Sequence, residues 1–158
     1  MAPHGSVWDH AHRRATALLD VVGIRVLTDP TFDPPGQYQL AHTTLTKTAP
    51  PALTPEALGA SDAVLLSHDQ HADNLDHSGR AFLPRARRVL TTRAGAQRLG
   101  DPVEGMMAWQ TVELGTPDGS RLRVTATPAR HGPAGIEPYS GDVIGLVLAL
   151  PNAGARPI

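Results

Sequence analysis

The chain has 158 residues and contains no cysteine, one lysine and few aromatic side chains. Without cysteine there are no disulfides and no thiolate–zinc sites, so any metal must be held by nitrogen and oxygen, and a reducing compartment is compatible. Phe, Trp and Tyr together make up 4% of the residues, which leaves the core to Ala, Val, Leu and Ile. Lys47 stands against thirteen arginines. With the load of Ala, Gly and Pro, this composition fits a GC-rich bacterial genome and carries no functional meaning. No block of like charge occurs: the net charge is −1 with histidine neutral. The short run Arg85, Arg87, Arg88 reads as a solvated strand edge rather than a nucleic-acid patch. Long apolar runs are also missing. The longest, Val143 to Leu150, falls far short of the roughly 20 residues that cross a bilayer. Met1-Ala2-Pro3-His4-Gly5 offers no apolar signal core. The expectation is a cytoplasmic protein with no membrane and no nucleic-acid partner.

What is present suffices for one folded unit. Apolar residues are 41% of the chain, and its length is that of a single domain, 1–158. Residues 15–22 and 24–28 read as two strands joined at Gly23, and Asp29-Pro30 ends the second, since proline cannot join the ladder. Residues 30–53 carry five prolines and read as a long loop. Thr54-Pro55-Glu56-Ala57-Leu58 predicts a short helix with threonine at the cap and proline in the first turn. Residues 63–66 predict a buried strand, 67–76 a polar loop, 88–91 a strand, 92–99 a helix closed by Gly100, and 109–114 a strand. After the turn at Pro117-Asp118-Gly119, residues 121–127 alternate, with Leu122, Val124 and Ala126 on one face. Residues 143–150 are apolar throughout and predict a strand covered on both faces. The order implies a mixed α/β fold, an α+β sandwich whose sheet begins as a meander.

Chemistry is concentrated after the third strand. His68, Asp69, His71, Asp73, Asn74 and Asp76 put six metal-capable side chains within nine positions. One such residue alone would be a helix cap or turn former. The whole cluster, directly after Val64-Leu65-Leu66, reads as a metal site on a rigid scaffold. Imidazole and carboxylate suit Zn²⁺, with Mn²⁺ or Fe²⁺ as alternatives. Such an ion lowers the pKa of a bound water and makes it a nucleophile at neutral pH.

Three stretches of the chain resemble the metallo-β-lactamase superfamily, in the branch of metal-dependent hydrolases akin to ascorbate-6-phosphate lactonases. They are Ala15-Thr16-Ala17-Leu18-Leu19-Asp20 through Leu27-Thr28-Asp29-Pro30, Leu65 through Asp76, and Thr127-Pro128-Ala129-Arg130-His131-Gly132-Pro133. The resemblance implies the αββα fold, mainly its N-terminal half. It also implies a metal-activated water acting on a small-molecule ester, lactone, amide or phosphodiester. By resemblance, His68, His71 and His131 hold one ion, and Asp73 binds a second ion or acts as the base that orients the water. Asn74 is a weak candidate ligand for that second ion.

The sequence departs from the usual family pattern, His-x-His-x-Asp-His. Aligned on Asp73, the first histidine becomes Asp69 and the last becomes Asn74. His68 takes the first position if one extra residue is allowed, and Asp69 competes with it. His77 reads as a surface residue. Ser140-Gly141-Asp142 looks like the family's bridging Asp motif but comes too soon after His131, with no strand between. The chain is therefore expected to stop before two ligands, and the domain to be incomplete at its C-terminus. The expected function is a metal-dependent hydrolase. The alternative is a truncated or degenerate relative, marginally folded and prone to self-association, that binds a metal or a partner without catalysis. A homo-oligomer is compatible with either.

Overall fold

The computed structural model describes residues 8–11, 15–39, 44–135, 138 and 141–150. His4, His12, His42 and Ser140 lie outside these, as do residues 151–158. In chain order the elements are β1 (Trp8–Ala11), β2 (Ala17–Val21), β3 (Ile24–Thr28), β4 (Gly36–Gln39), β5 (Thr44–Lys47), α1 (Pro55–Leu58), β6 (Ser61–Leu65), α2 (His77–Phe82), β7 (Ala86–Thr92), α3 (Arg93–Leu99), β8 (Val103–Met106), β9 (Thr111–Gly115), β10 (Arg121–Pro128) and β11 (Ile144–Ala149).

A six-stranded sheet has the order β1-β2-β3-β6-β7-β8. Its first three strands form an antiparallel meander, and β3, β6, β7 and β8 run parallel. The β2–β3 turn is Val22-Gly23, with φ of 47° and 80°, the left-handed pair that matches strand twist in a two-residue hairpin. A second sheet, β11-β10-β9, is antiparallel throughout.

The central strands are buried on both faces, and their side chains alternate between two cores. Val26, Ala63, Leu65 and Leu90 point to the inter-sheet core, where they meet Leu114, Leu122, Val124 and Ala126 of the second sheet. Leu27, Val64, Leu66 and Val89 point the other way and pack with Leu58, Leu75, Phe82 and Leu83 of the helical layer. Each such aliphatic side chain contributes about 1.5–3 kcal/mol relative to exposure. The layers are thus helices, six-stranded sheet, three-stranded sheet.

Three expectations need correction. The span 30–53 is not one loop, because β4 and β5 pair within it, Gly36↔Lys47 to Gln39↔Thr44. Each of these short strands carries a single apolar residue, Tyr38 and Leu45, which pair across the hairpin, so their alternation is too brief to mark a strand. β8 and β1 are likewise not expected from the sequence; β8 follows α3 directly and lacks an apolar run. Lastly, β11 is an edge strand whose Ile144, Leu146 and Leu148 face the inter-sheet core, while Val147 on its other face is 51% exposed. An apolar run marks burial, but it does not say on how many faces.

Two buried polar contacts seat α2. Asp76 caps the helix through Gly79 N–H at 2.7 Å and forms an ion pair with Lys47, both side chains being almost fully buried. The chain's one lysine therefore ties the β4–β5 hairpin to the helix that follows the site loop. At Gly79, a Cβ would lie 1.8 Å from the carbonyl oxygen of Pro30. Backbone cannot yield there as a flexible side chain could. Gly79→Ala is expected to lower stability by about 2–4 kcal/mol, read as a lower urea midpoint with an unchanged m value; a midpoint equal to wild type would show that α2 shifts freely.

Candidate metal centre

The site is built where three strand ends meet. β6 is flanked by β3 and β7, and the pairing continues past its end: Asp29 N–H donates to Leu65 O at 3.0 Å, and Leu66 N–H to Leu90 O at 2.9 Å. The loop from Ser67 then leaves the sheet at a fixed height. Its turn is closed by Asn74 and Leu75 N–H groups donating to His71 O at 3.0 and 2.9 Å. The second sheet is joined to it by Ile144 N–H donating to Ser67 O at 3.1 Å. His131 lies three residues past the end of β10, in the segment that leads back toward β11.

His68, His71 and His131 converge. One ring nitrogen from each lies within 4.8 Å of the others. The ring centroids are 4.8–4.9 Å apart and every pair of rings is close to perpendicular, at 70–84°. His68 Nε2 and His71 Nδ1 are 3.1 Å apart. Two nitrogens each 2.0–2.1 Å from a tetrahedral zinc lie about 3.3–3.4 Å apart. The donor set fits a metal ion: His68 Nε2 and His71 Nδ1 stand close to ligand spacing, and the third imidazole, on the exposed His131, belongs to the same converging group.

Electrostatics favour neutral, ligand-ready imidazole. Burial first, then the neighbouring His71 and His131, push the His68 pKa down to about 4, with Asp73 and Asp69 opposing. Among the described residues no carboxylate belongs to the converging group. Asp69 is buried and held by Arg98 in a bidentate pair, with Nε at 2.9 Å from Oδ2 and Nη2 at 2.6 Å from Oδ1. That pair, outweighing burial, lowers the Asp69 pKa. Asp73 is exposed, with its charge felt at both His68 and Asp29. Asn74 Nδ2 donates to Asp29 Oδ2 at 3.1 Å and to Ser67 Oγ at 3.3 Å. His77 is exposed, and Asp142 lines a cleft of about 270 Å³ with His131, Arg93, Arg130 and Met106.

Sequence reasoning missed Asp29, read there as a strand terminator. Its carboxylate is buried and accepts from Ser67 N–H at 2.7 Å, Ser67 Oγ at 2.9 Å and Asn74 Nδ2. Burial raises its pKa and these donors oppose the rise. The available signal was its place within a stretch that resembles the family. Arg98 was also missed, since nothing in a helix pattern says which residue an exposed arginine reaches.

The fold and site define a member of a known class. Residues 24–156 match the family described as beta-lactamase superfamily domain, and the chain belongs to it. No curated protein matches it. Among solved structures it is similar to an isothiocyanate hydrolase from Delia radicum gut bacteria, with 25% identity and a TM-score of 0.65 over 88% of this chain and 57% of that one. A possible metal-dependent hydrolase from Veillonella parvula gives 18% identity and a TM-score of 0.74 over 93% and 60%. CmlA from Streptomyces venezuelae, a diiron β-hydroxylase, gives 20% identity and a TM-score of 0.63 over 96% and 28%. The chain thus spans about three fifths of the length of the first two. Among the described residues no helix is long and apolar enough to cross a membrane.

The depressed His68 pKa links acid to stability. In the unfolded chain a histidine titrates near 6.5, so the unfolded state binds the extra proton first. Stability therefore falls as pH drops from about 6.5 to about 4. Chelator-treated protein should lose on the order of 1–3 kcal/mol across that window, and His68→Gln should flatten the loss. Urea titrations at several pH values measure it, and an equal acid slope in both proteins would contradict the assignment.

Proposed function

We propose that this chain is a metal-dependent hydrolase in which His68, His71 and His131 hold one ion, zinc in the first place with manganese or iron as alternatives. The convergence of three imidazoles at the end of a doubly buried strand carries this reading. When bound, the ion supplies Lewis acidity and a nucleophilic water at neutral pH. The residues do the rest. His68, buried and neutral, is the fixed ligand, and His131 on its exposed segment closes the set. Asp69 is occupied by Arg98 and keeps its charge out of the ligand set. Of the carboxylates in the histidine loop, Asp73 alone is exposed and without an ion pair among the described residues, so within that loop it is the one available to accept a proton from the attacking water. Asn74 stands where the family pattern has histidine and is a weaker ligand, which supports one ion rather than two. The cleft beside His131 takes one small molecule, an ester, lactone, amide or phosphodiester.

A second reading, a non-catalytic metal- or partner-binding piece, is favoured by the converging group, which among the described residues contains no carboxylate. Metal content and turnover separate the two. Zinc-loaded, dialysed protein should retain about one ion per chain by mass spectrometry, since three protein ligands define an open catalytic site. His71→Ala and His131→Ala should fall well below that. Turnover is measured on ester, lactone, phosphodiester and isothiocyanate substrates, with Asp73→Asn expected to cut it by about 10²–10⁴-fold while leaving metal content unchanged. Wild type holding no more metal than His71→Ala or His131→Ala sinks the metal-centre reading and leaves only a partner-binding piece; full metal with no turnover on any substrate favours the second.

A further inference from the structure

Ser67 stands between a buried carboxylate and the first histidine of the cluster, and its hydroxyl can be assigned by counting hydrogens. Both Asp29 oxygens receive donors: Oδ1 from Ser67 N–H at 2.7 Å, Oδ2 from Asn74 Nδ2 at 3.1 Å and from Ser67 Oγ at 2.9 Å. As a carboxylate, Asp29 has no hydrogen of its own to give, and it takes the Ser67 hydroxyl as a donor. The single hydroxyl hydrogen of Ser67 is then spent on Asp29. What remains on Oγ is two lone pairs. One receives Asn74 Nδ2–H at 3.3 Å, and the other faces His68 Nδ1 at 3.1 Å. A lone pair facing Nδ1 requires that Nδ1 carry the hydrogen. His68 Nε2, which lies 3.1 Å from His71 Nδ1, then keeps its lone pair for an ion.

We propose that Asp29, Ser67 and Asn74 form a positioning relay that holds His68 as its Nδ1–H tautomer and presents Nε2 to the metal centre. The metal half of this inference rests on the proposed function; the tautomer half does not. A ligand histidine gains both orientation and basicity when its other nitrogen donates to a fixed acceptor. Here the acceptor is a serine whose own hydrogen is withheld by a carboxylate. Asn74, in the position where the family pattern has histidine, supplies the amide that fills the remaining lone pair. It works as scaffold for the first ligand.

The test reads the tautomer directly, in metal-free full chain labelled with ¹⁵N-histidine, by two-bond ¹H–¹⁵N correlation. His68 should show a protonated Nδ1 and an unprotonated Nε2. Asp29→Asn should reverse this. With Ser67 N–H still requiring the amide oxygen, the amide nitrogen introduced by that substitution would donate to Ser67 Oγ and turn its hydrogen toward Nδ1. Ser67→Ala should give a mixture of tautomers, and Ser67→Thr, which keeps the hydroxyl, should restore the wild-type pattern. Competition with a chromophoric chelator should show zinc binding weakened about 10–100-fold in Ser67→Ala and Asp29→Asn, the usual cost of losing an outer partner, and near wild type in Ser67→Thr. A protonated Nε2 in wild type overturns the relay. So does a His68 pattern unchanged in both Asp29→Asn and Ser67→Ala. If wild type binds no zinc yet shows the expected tautomer and its reversal, the relay stands and the metal-centre reading is what fails. Loss of a folded spectrum in Ser67→Ala leaves Asp29→Asn, nearly isosteric, to decide.

Discussion

The Asp29 carboxylate is the point on which the site hangs. It sits one residue past β3, at φ 34°, a conformation that aspartate tolerates better than most side chains. Thr16 Oγ1 holds its carbonyl at 2.6 Å, and its N–H extends the β3–β6 pairing. Its side chain then reaches across to Ser67 and Asn74, the two ends of the histidine loop. Burying a charge is costly unless it is hydrogen-bonded, and three donors offset that cost here. The same bonds that make the buried charge tolerable prevent the loop from turning. His68 and His71 inherit their separation from that constraint.

The remaining carboxylates of the loop are sorted by their partners. Asp69 goes to Arg98 of α3, Asp76 to Lys47 and the start of α2, and Asp73 stays exposed. Three anions gathered beside three histidines would repel one another and raise each other's pKa. Pairing two of them elsewhere leaves three imidazoles, with no carboxylate among them, as the converging set. The pairs also seat the neighbouring elements. Asp69 fastens α3 to the loop, and Asp76 fastens the β4–β5 hairpin to α2. Asp33 adds to this by accepting from His77 N–H, Ser78 N–H and Ser78 Oγ at the same helix start.

The position of the cluster follows from layering. Parallel strands buried on both faces leave their C-terminal ends as the place where loops escape to solvent, and open α/β sheets use that edge for ligands. β6 ends there with His68 and His71. The second sheet, packed on the first through Leu122, Val124 and Ala126, delivers His131 to the same edge. The cleft lies beside that junction, between the end of β10, the start of β11 and the start of α3.

How much of this was legible depended on the range of the physics involved. The β2–β3 hairpin, α1 with its Thr54 cap, α3 with Thr92 and Gly100 at its ends, and the alternation of β10 are local patterns, and the sequence carries them openly. The density of ligand types after a buried strand was legible for the same reason. The β4–β5 hairpin was not, because each four-residue strand carries one apolar side chain, too short an alternation to stand out. Nor did an apolar β11 reveal that one of its faces stays open. His68 and His71 could be named from sequence, with Asp69 an equal rival in spacing. The structure brings His68 into the converging group and pairs Asp69 with Arg98, 29 positions away. Asp29 reaches Ser67 over 38 positions and Asn74 over 45. Residue types and short spacings determined what chemistry the loop could offer. Which side chains face one another was decided by the tertiary structure, because a buried charge takes whichever partner the packed sheets bring within hydrogen-bond reach, and no local pattern encodes that distance.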